Sequence, residues 1–334
     1  MAIPPPRLIR ISELDLAERR YALAREWLVT NGLGGYASGT LGGAPSRRYH
    51  GLLIASLPPP FGRRLLLGDV LEHLVLPEGR AVPLGDPDGD SLGGGLTEFR
   101  LELGLPVWRY EMGDIAIEKR VAMPHEHNTV HVIYRLLGGA DSAVLHLTPI
   151  VHHRSHDAPV NAPLPGAVSL EPHDDRYELA VLDLPRVRLQ VRGSRAALAG
   201  ERGNLRPRHY PLEESRGFKQ RGMPWTPGFF RVELTGAEPA TLTASTEPWE
   251  RAGAVTPSAA HDAERSRRLR LLESAGATAE DSLDAELVLA ADQFIVAPAR
   301  RSARGARPNA AAAPATAAAS PPPLDASPAD ACAV

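Results

Sequence analysis

The sequence predicts a mainly β protein: a large antiparallel β-sandwich, or supersandwich, closed by a short C-terminal helical pair and a disordered tail. Three observations predict it. From Gly51 onward short apolar runs alternate with Gly, Pro and Asp; no long helical period interrupts them before Pro257; and beyond Ala297 large apolar side chains almost vanish.

Residues 8–26 begin at Ser12-Glu13 and carry Leu14, Leu16 and Leu23 among charges, a pattern open to a short helix or an extended lead-in. Residues 52–57, 65–76 and 96–105 then read as strands. Residues 107–112, the dipeptide Gly113-Asp114 and residues 115–123 form a hairpin with Gly first in the turn, as type II′ prefers. Further strands fall at 129–137, 143–151, 177–182, 187–191, 229–234 and 240–245, a succession that implies a sandwich. Two helices follow, 259–275 and 281–296, the second with Leu287, Ala291 and Phe294 at helical spacing. The chain thus divides into a β domain (1–257), a helical linker (258–296) and an Ala/Pro/Arg tail (297–334) that cannot offset its ordering entropy.

With 334 residues, 43% hydrophobic content and a net charge of −3 spread along the chain, no basic surface for nucleic acid or membrane is advertised. The first ten residues hold a Pro run where a secretory signal needs an apolar core, and no apolar stretch reaches about 20 residues, so a cytoplasmic protein is expected. Cys332 is the only cysteine, which removes intrachain disulfides, Cys-based metal sites and a buried thiol nucleophile together. No cofactor is implied.

Four motifs carry chemistry. Residues 26–40 (EWLVTNGLGGYASGT) repeat Gly where backbone must turn or approach a ligand closely; Asn31, Gly34, Gly35 and Tyr36 are its candidates. The Lys-Ser/Thr ending of a phosphate loop is missing, which leaves a sugar-facing loop or tight turns inside a β domain. In residues 46–53 (SRRYHGLL), Arg47 and Arg48 offer donor forks for hydroxyls or carboxylates, Tyr49 offers a flat face to a pyranose ring, and His50 adds a polar edge. The same residues also suit an arginine–carboxylate network that pins the Gly loop to the sheet. His152, His153, Arg154, His156 and Asp157 follow a predicted strand, so Arg154 and His156 fit the rim of a cleft better than a metal site, and none is predicted. Glu213 and Glu214 are adjacent and would point to opposite faces of an extended chain, which suits a cap or ion pair rather than a catalytic pair. Acidic residues at 100–103 and 115–118 alternate with apolar ones, the pattern of a solvated sheet face.

Taken in order, residues 26–40, residues 47–53, Glu118-Lys119-Arg120-Val121 with Met123, residues 210–218 and Ser245-Thr246-Glu247 resemble the N-terminal domain of bacterial and archaeal glycogen debranching enzymes, amylo-α-1,6-glucosidases, over roughly residues 18–296. That resemblance implies an N-terminal supersandwich, glycogen or limit dextrin as the partner glucan, and an α/α toroid bearing the acid and base carboxylates. Residues 285–296 are similar to the toroid's opening helix, after which the pattern stops, as in a chain truncated before its catalytic domain. His152-His153 departs from the family's Asn-Tyr type sequence. The expected function is therefore the non-catalytic domain of a debranching enzyme, joined to a toroid in cis or trans. The alternatives are a free-standing α-glucan-binding module and a small complete glycosidase using Glu111, Asp114 or Glu118.

Overall fold

The computed structural model describes residues 6–87, 89, 94–139, 141–205, 207–276 and 282–297. Two large antiparallel sheets form the sandwich. The first runs, in spatial order, Arg7–Arg10, Leu96–Glu102, Leu105–Met112, Ile115–Ala122, Thr129–Gly138, Ala240–Ser245, Val187–Arg192, Arg176–Val181 and Val168–His173. The second runs Ser194–Ala199, Phe229–Thr235, Ser142–Ser155, Gly62–Val75, Gly51–Leu57, Tyr36–Thr40 and Glu26–Thr30, with short strands paired beside it.

Alternation along each strand sends one set of side chains inward. Leu53, Leu67, Leu145 and Val232 from the second sheet meet Leu105, Val121, Val132 and Leu242 from the first in one continuous core. Aromatic edges lock the layers: Trp108 packs edge-on against both Trp27 and Phe99 at 5.3 Å, and Tyr177 against Phe230 at 5.1 Å. One polar cluster lies between the sheets. Lys119 Nζ sits 2.6 Å from the buried Glu72 carboxylate, which also accepts from the Tyr134 hydroxyl. Burial pushes the Glu72 carboxyl up, with a smaller push from Asp69, and Lys119 and the Tyr134 hydroxyl oppose that shift.

The hairpin around Gly113-Asp114 forms with Met112 opposite Ile115 and Gly113 at φ +58°. A second hairpin divides the run predicted as one strand at 96–105: Leu103 and Gly104 both take positive φ, 53° and 75°, as a type I′ turn requires. The lead-in resolves into a strand, a short 3-10 turn and the helix Leu16–Leu23. That helix begins at Asp15 rather than Ser12, because Asp15 and Glu18 form a reciprocal capping box.

Helices Pro257–Ser274 and Ser282–Asp292 end the described chain. The tail predicted at 297–334 lies outside the described residues apart from Ala297. The solvated-face reading of residues 100–103 and 115–118 is corrected here. Arg100 binds Glu98, Glu102 and Glu118 at 2.6–2.9 Å and Arg120 binds Glu102 and Glu118 at 2.7–2.9 Å, forming a lattice with Glu118 only 8% exposed. The helix Pro257–Ser274 packs beside it, reaching Glu102 with Arg265 at 3.9 Å and the Leu103 carbonyl with the buried Arg268 at 2.9 Å. Alternation makes that face polar; a helix with few large apolar side chains then covers it through charge. Among the described residues no helix is long and apolar enough to cross a membrane.

Candidate functional site

The Gly-rich turn joins strands Glu26–Thr30 and Tyr36–Thr40, and Asn31 builds it. The Asn31 Oδ1 accepts from the Leu33 and Gly35 amides at 3.0 and 2.9 Å, while Nδ2 donates to the His127 carbonyl at 2.8 Å and to Asn128 Oδ1 at 3.1 Å. Asn128 in turn exchanges two hydrogen bonds with the Ser56 backbone, and its own amide donates to Glu247. The turn is thereby tied to both sheets. Gly35 has no room for a side chain, since a Cβ there would lie 2.7 Å from Asn31 Nδ2 and 2.8 Å from the Ile54 carbonyl.

Residues 45–50 fold back beside that turn. Glu26 gathers Arg47 Nε at 2.6 Å and His50 Nε2 at 3.4 Å, and His50 Nδ1 accepts from the Ser46 amide. Hydrogen bonding from His50, aided by Arg47 and opposed by burial, draws the Glu26 carboxyl down to about 2. Arg48 uses both backbone and side chain on one carboxylate. Its amide donates to Glu213 Oε1 at 3.0 Å and its Nε lies 2.9 Å from Oε2 of that buried residue, held by the short helix Pro211–Ser215. Glu213 thus serves the ion-pair role the sequence suggested.

Arg154 is internal as well. Its guanidinium donates to the carbonyls of Arg48, Ser155, His156 and Ala158, stitching residues 154–158 to the arginine segment. Burial lowers its pKa, which fits a cation solvated by carbonyl dipoles alone.

The two motifs do converge. The Tyr36 hydroxyl donates to the Tyr49 carbonyl at 3.2 Å, and burial raises the Tyr36 phenol to about 12. Of the ten candidates, Asn31, Gly35, His50 and Arg154 are buried, committed to holding the two segments together. Gly34, Tyr36, Arg47, Arg48, Tyr49 and His156 retain partial exposure. They join side chains absent from the candidates. Phe218, 47% exposed, lies 4.0 Å beneath the Arg48 guanidinium; Tyr49 is 5.5 Å from the same guanidinium; the His156 ring lies 5.9 Å from that of Tyr49, tilted by 50°. Arg63, whose carbonyl accepts from the His156 amide, completes the cluster. Phe218 was signalled by the motif at 210–218. Arg63 carried no local signal, because strand pairing brings it there.

Among the described residues no group of three or more His, Cys, Asp or Glu side chains is placed to hold a metal. The strand Ser142–Ser155 keeps His152 and His156 off any common helical face, and burial lowers His152 to about 3 and His153 to about 4. Glu111 pairs with Arg109, and Glu118 is held by Arg100 and Arg120.

A family model described as glycogen debranching enzyme N terminal matches residues 25–241, which include the Gly turn, the Arg-Tyr-His segment and Glu213. The chain belongs to the glycogen debranching enzyme N-terminal family. Among curated proteins no sequence matches. Among solved structures, a bacterial glucoamylase in complex with acarbose aligns over 83% of this chain at 8% identity and a TM-score of 0.38. The chain spans 39% of that glucoamylase's length.

Proposed function

We propose that this member of the debranching-enzyme N-terminal family is a non-catalytic α-glucan-contacting domain that works in glycogen breakdown beside a catalytic α/α toroid, in cis or in trans. One observation carries the reading: the Gly turn and the Arg-Tyr-His segment meet at one end of the second sheet, and Phe218, Arg48, Tyr49 and His156 cluster there as neighbouring flat groups. Flat aromatic and guanidinium faces suit the C–H faces of successive pyranose units, with edge donors left for hydroxyls. Catalysis by this chain is not part of the reading. Hydrolysis needs two carboxylates about 5–10 Å apart across the bond, one with a raised pKa. At this surface Glu213 is buried against Arg48, and hydrogen bonds from His50 and Arg47 hold the Glu26 carboxyl low, the opposite of the raised pKa an acid needs.

Co-sedimentation of the purified chain with glycogen tests the reading. Binding is expected, weakened about tenfold by Tyr49→Ala, a loss of the order of one stacked ring; release of glucose from branched limit dextrin is expected to stay at background. Glucose release abolished by changing a single carboxylate of this chain would replace the proposal with the small-glycosidase alternative.

A further inference from the structure

Beyond the cluster of flat groups lies a cavity of about 250 Å³. The Gly34-Gly35 backbone and the Tyr36 ring form one wall, Arg63 another, and Ile295 with Val296 from the C-terminal segment the third. The segment is strapped down at two points: Gln293 Nε2 donates to the Leu28 carbonyl at 3.3 Å, and the Ala297 amide donates to the Gly32 carbonyl at 2.8 Å. Little else holds it, since Phe294 is 85% exposed and Ile295 68%.

Three features define what the cavity fits. Its volume lies just below the roughly 300–1,000 Å³ of pockets for drug-sized ligands, the scale of a single ring rather than a chain. Its walls are mixed, a phenol ring and the branched aliphatic side chains of Leu28, Ile295 and Val296 beside Thr30, Gln293 and bare backbone, which favours an amphipathic neutral ring over an ion. Its only cation, Arg63, makes no ion pair and no side-chain hydrogen bond among the described residues, so its donors are uncommitted. Every other guanidinium of the cluster is engaged: Arg47 by Glu26, Arg48 by Glu213, Arg154 by four carbonyls. A fork of free N–H groups beside an apolar wall matches vicinal hydroxyls at the edge of a pyranose. The cavity also adjoins those flat groups, through the Tyr36 hydroxyl on Tyr49 and the Arg63 carbonyl on His156.

We propose that this cavity receives the terminal pyranose unit of an α-glucan, with Arg63 as its hydroxyl ligand and Ile295-Val296 as a movable wall. The proposal rests on the glucan-contacting reading above and adds to it an end-binding site. It makes short oligosaccharides sufficient ligands, because one unit reaches the cavity whatever the chain length.

Isothermal titration calorimetry of the full chain with maltose, maltoheptaose and inorganic phosphate tests it. The native chain is expected to bind both sugars and not phosphate. Val296→Trp, which fills the cavity, and Arg63→Ala, which removes its donors, should each weaken both sugars at least tenfold with an unchanged melting temperature. Arg63 is exposed and without an ion-pair partner, so its variant keeps the test valid if Val296→Trp does not fold. Wild-type affinity in both variants would overturn the end-binding site and leave the glucan reading standing. Binding of phosphate alone would also overturn it. A native chain that binds neither sugar nor glycogen would bring down both proposals.

Discussion

Two arginine-rich regions of this molecule use the same residue types to different ends. Over the first sheet, Arg100 and Arg120 share Glu98, Glu102 and Glu118, so each guanidinium has two or three carboxylates and the Glu102 and Glu118 carboxylates each meet both arginines. At the end of the second sheet, Arg48 meets a single carboxylate, Glu213, with one further hydrogen bond to the Asp157 carbonyl, and Arg154 is held by carbonyl oxygens. The lattice is closed on itself and roofed in part by a helix. The loop cluster satisfies its buried edges and leaves rings and one free arginine outward. Redundant pairing closes one surface on itself, while single, directed pairing leaves rings partly exposed at the other.

The largest expected effect follows from the single pairing. Glu213→Ala strands the nearly buried Arg48 charge and its backbone amide, which should cost about 3–5 kcal/mol in urea unfolding. Arg48→Ala should approach the same loss, and the double variant should lose clearly less than the sum of the two. Additive losses would mean the pair is not the pin of this loop.

Next comes the turn. Asn31→Ala removes the acceptor for two amides and the donor to the 127–128 backbone and side chain, all in a fully buried setting, and should cost about 2–3 kcal/mol. Proteolysis at residues 31–35 would show the local opening directly. In the lattice, Glu118→Gln should cost only about 1 kcal/mol, since Arg100 and Arg120 each keep another carboxylate, and 1 M salt should shrink even that. A loss as large as that of Glu213→Ala would erase the contrast between the two regions.

A separate expected effect is in pH. Burial lowers His131 to about 4, His152 to about 3 and His153 to about 4. A folded-state pKa below the unfolded value of about 6.5 means the unfolded chain binds more protons between those limits. Stability is therefore complete above about pH 6.5 and declines as pH falls toward about 4. Thermal melts between pH 7 and 5 should show that decline, and His131→Gln should flatten it.

Much of the fold was legible because its signals are local. A period of two, turn dipeptides such as Gly113-Asp114 and the switch to helical spacing after Pro257 act within a few residues, and the hairpin and helices formed close to where they predict. The division of residues 96–105 was less visible, because Leu103 adopts a positive φ that its side chain does not advertise. The strands flanking the Gly turn were hidden by the glycines themselves.

For the candidate site, the sequence by itself singled out two segments that the fold brings together and indicated an ion-pair or cap role for one of the adjacent Glu213 and Glu214, which the Arg48–Glu213 pair fills. Only the tertiary structure decided which side chains face outward. Asn31, His50 and Arg154 looked as available as Tyr49, but unsatisfied backbone groups at the crossing of two loops recruit whichever polar side chains lie nearest. Arg63 and Phe218 enter for the converse reason: they come from remote segments, and the pairing of strands and the packing of loops bring them beside Tyr36 and Arg48. Local pattern sets the elements, while the demand that every buried polar group find a partner sets which residues remain free to bind.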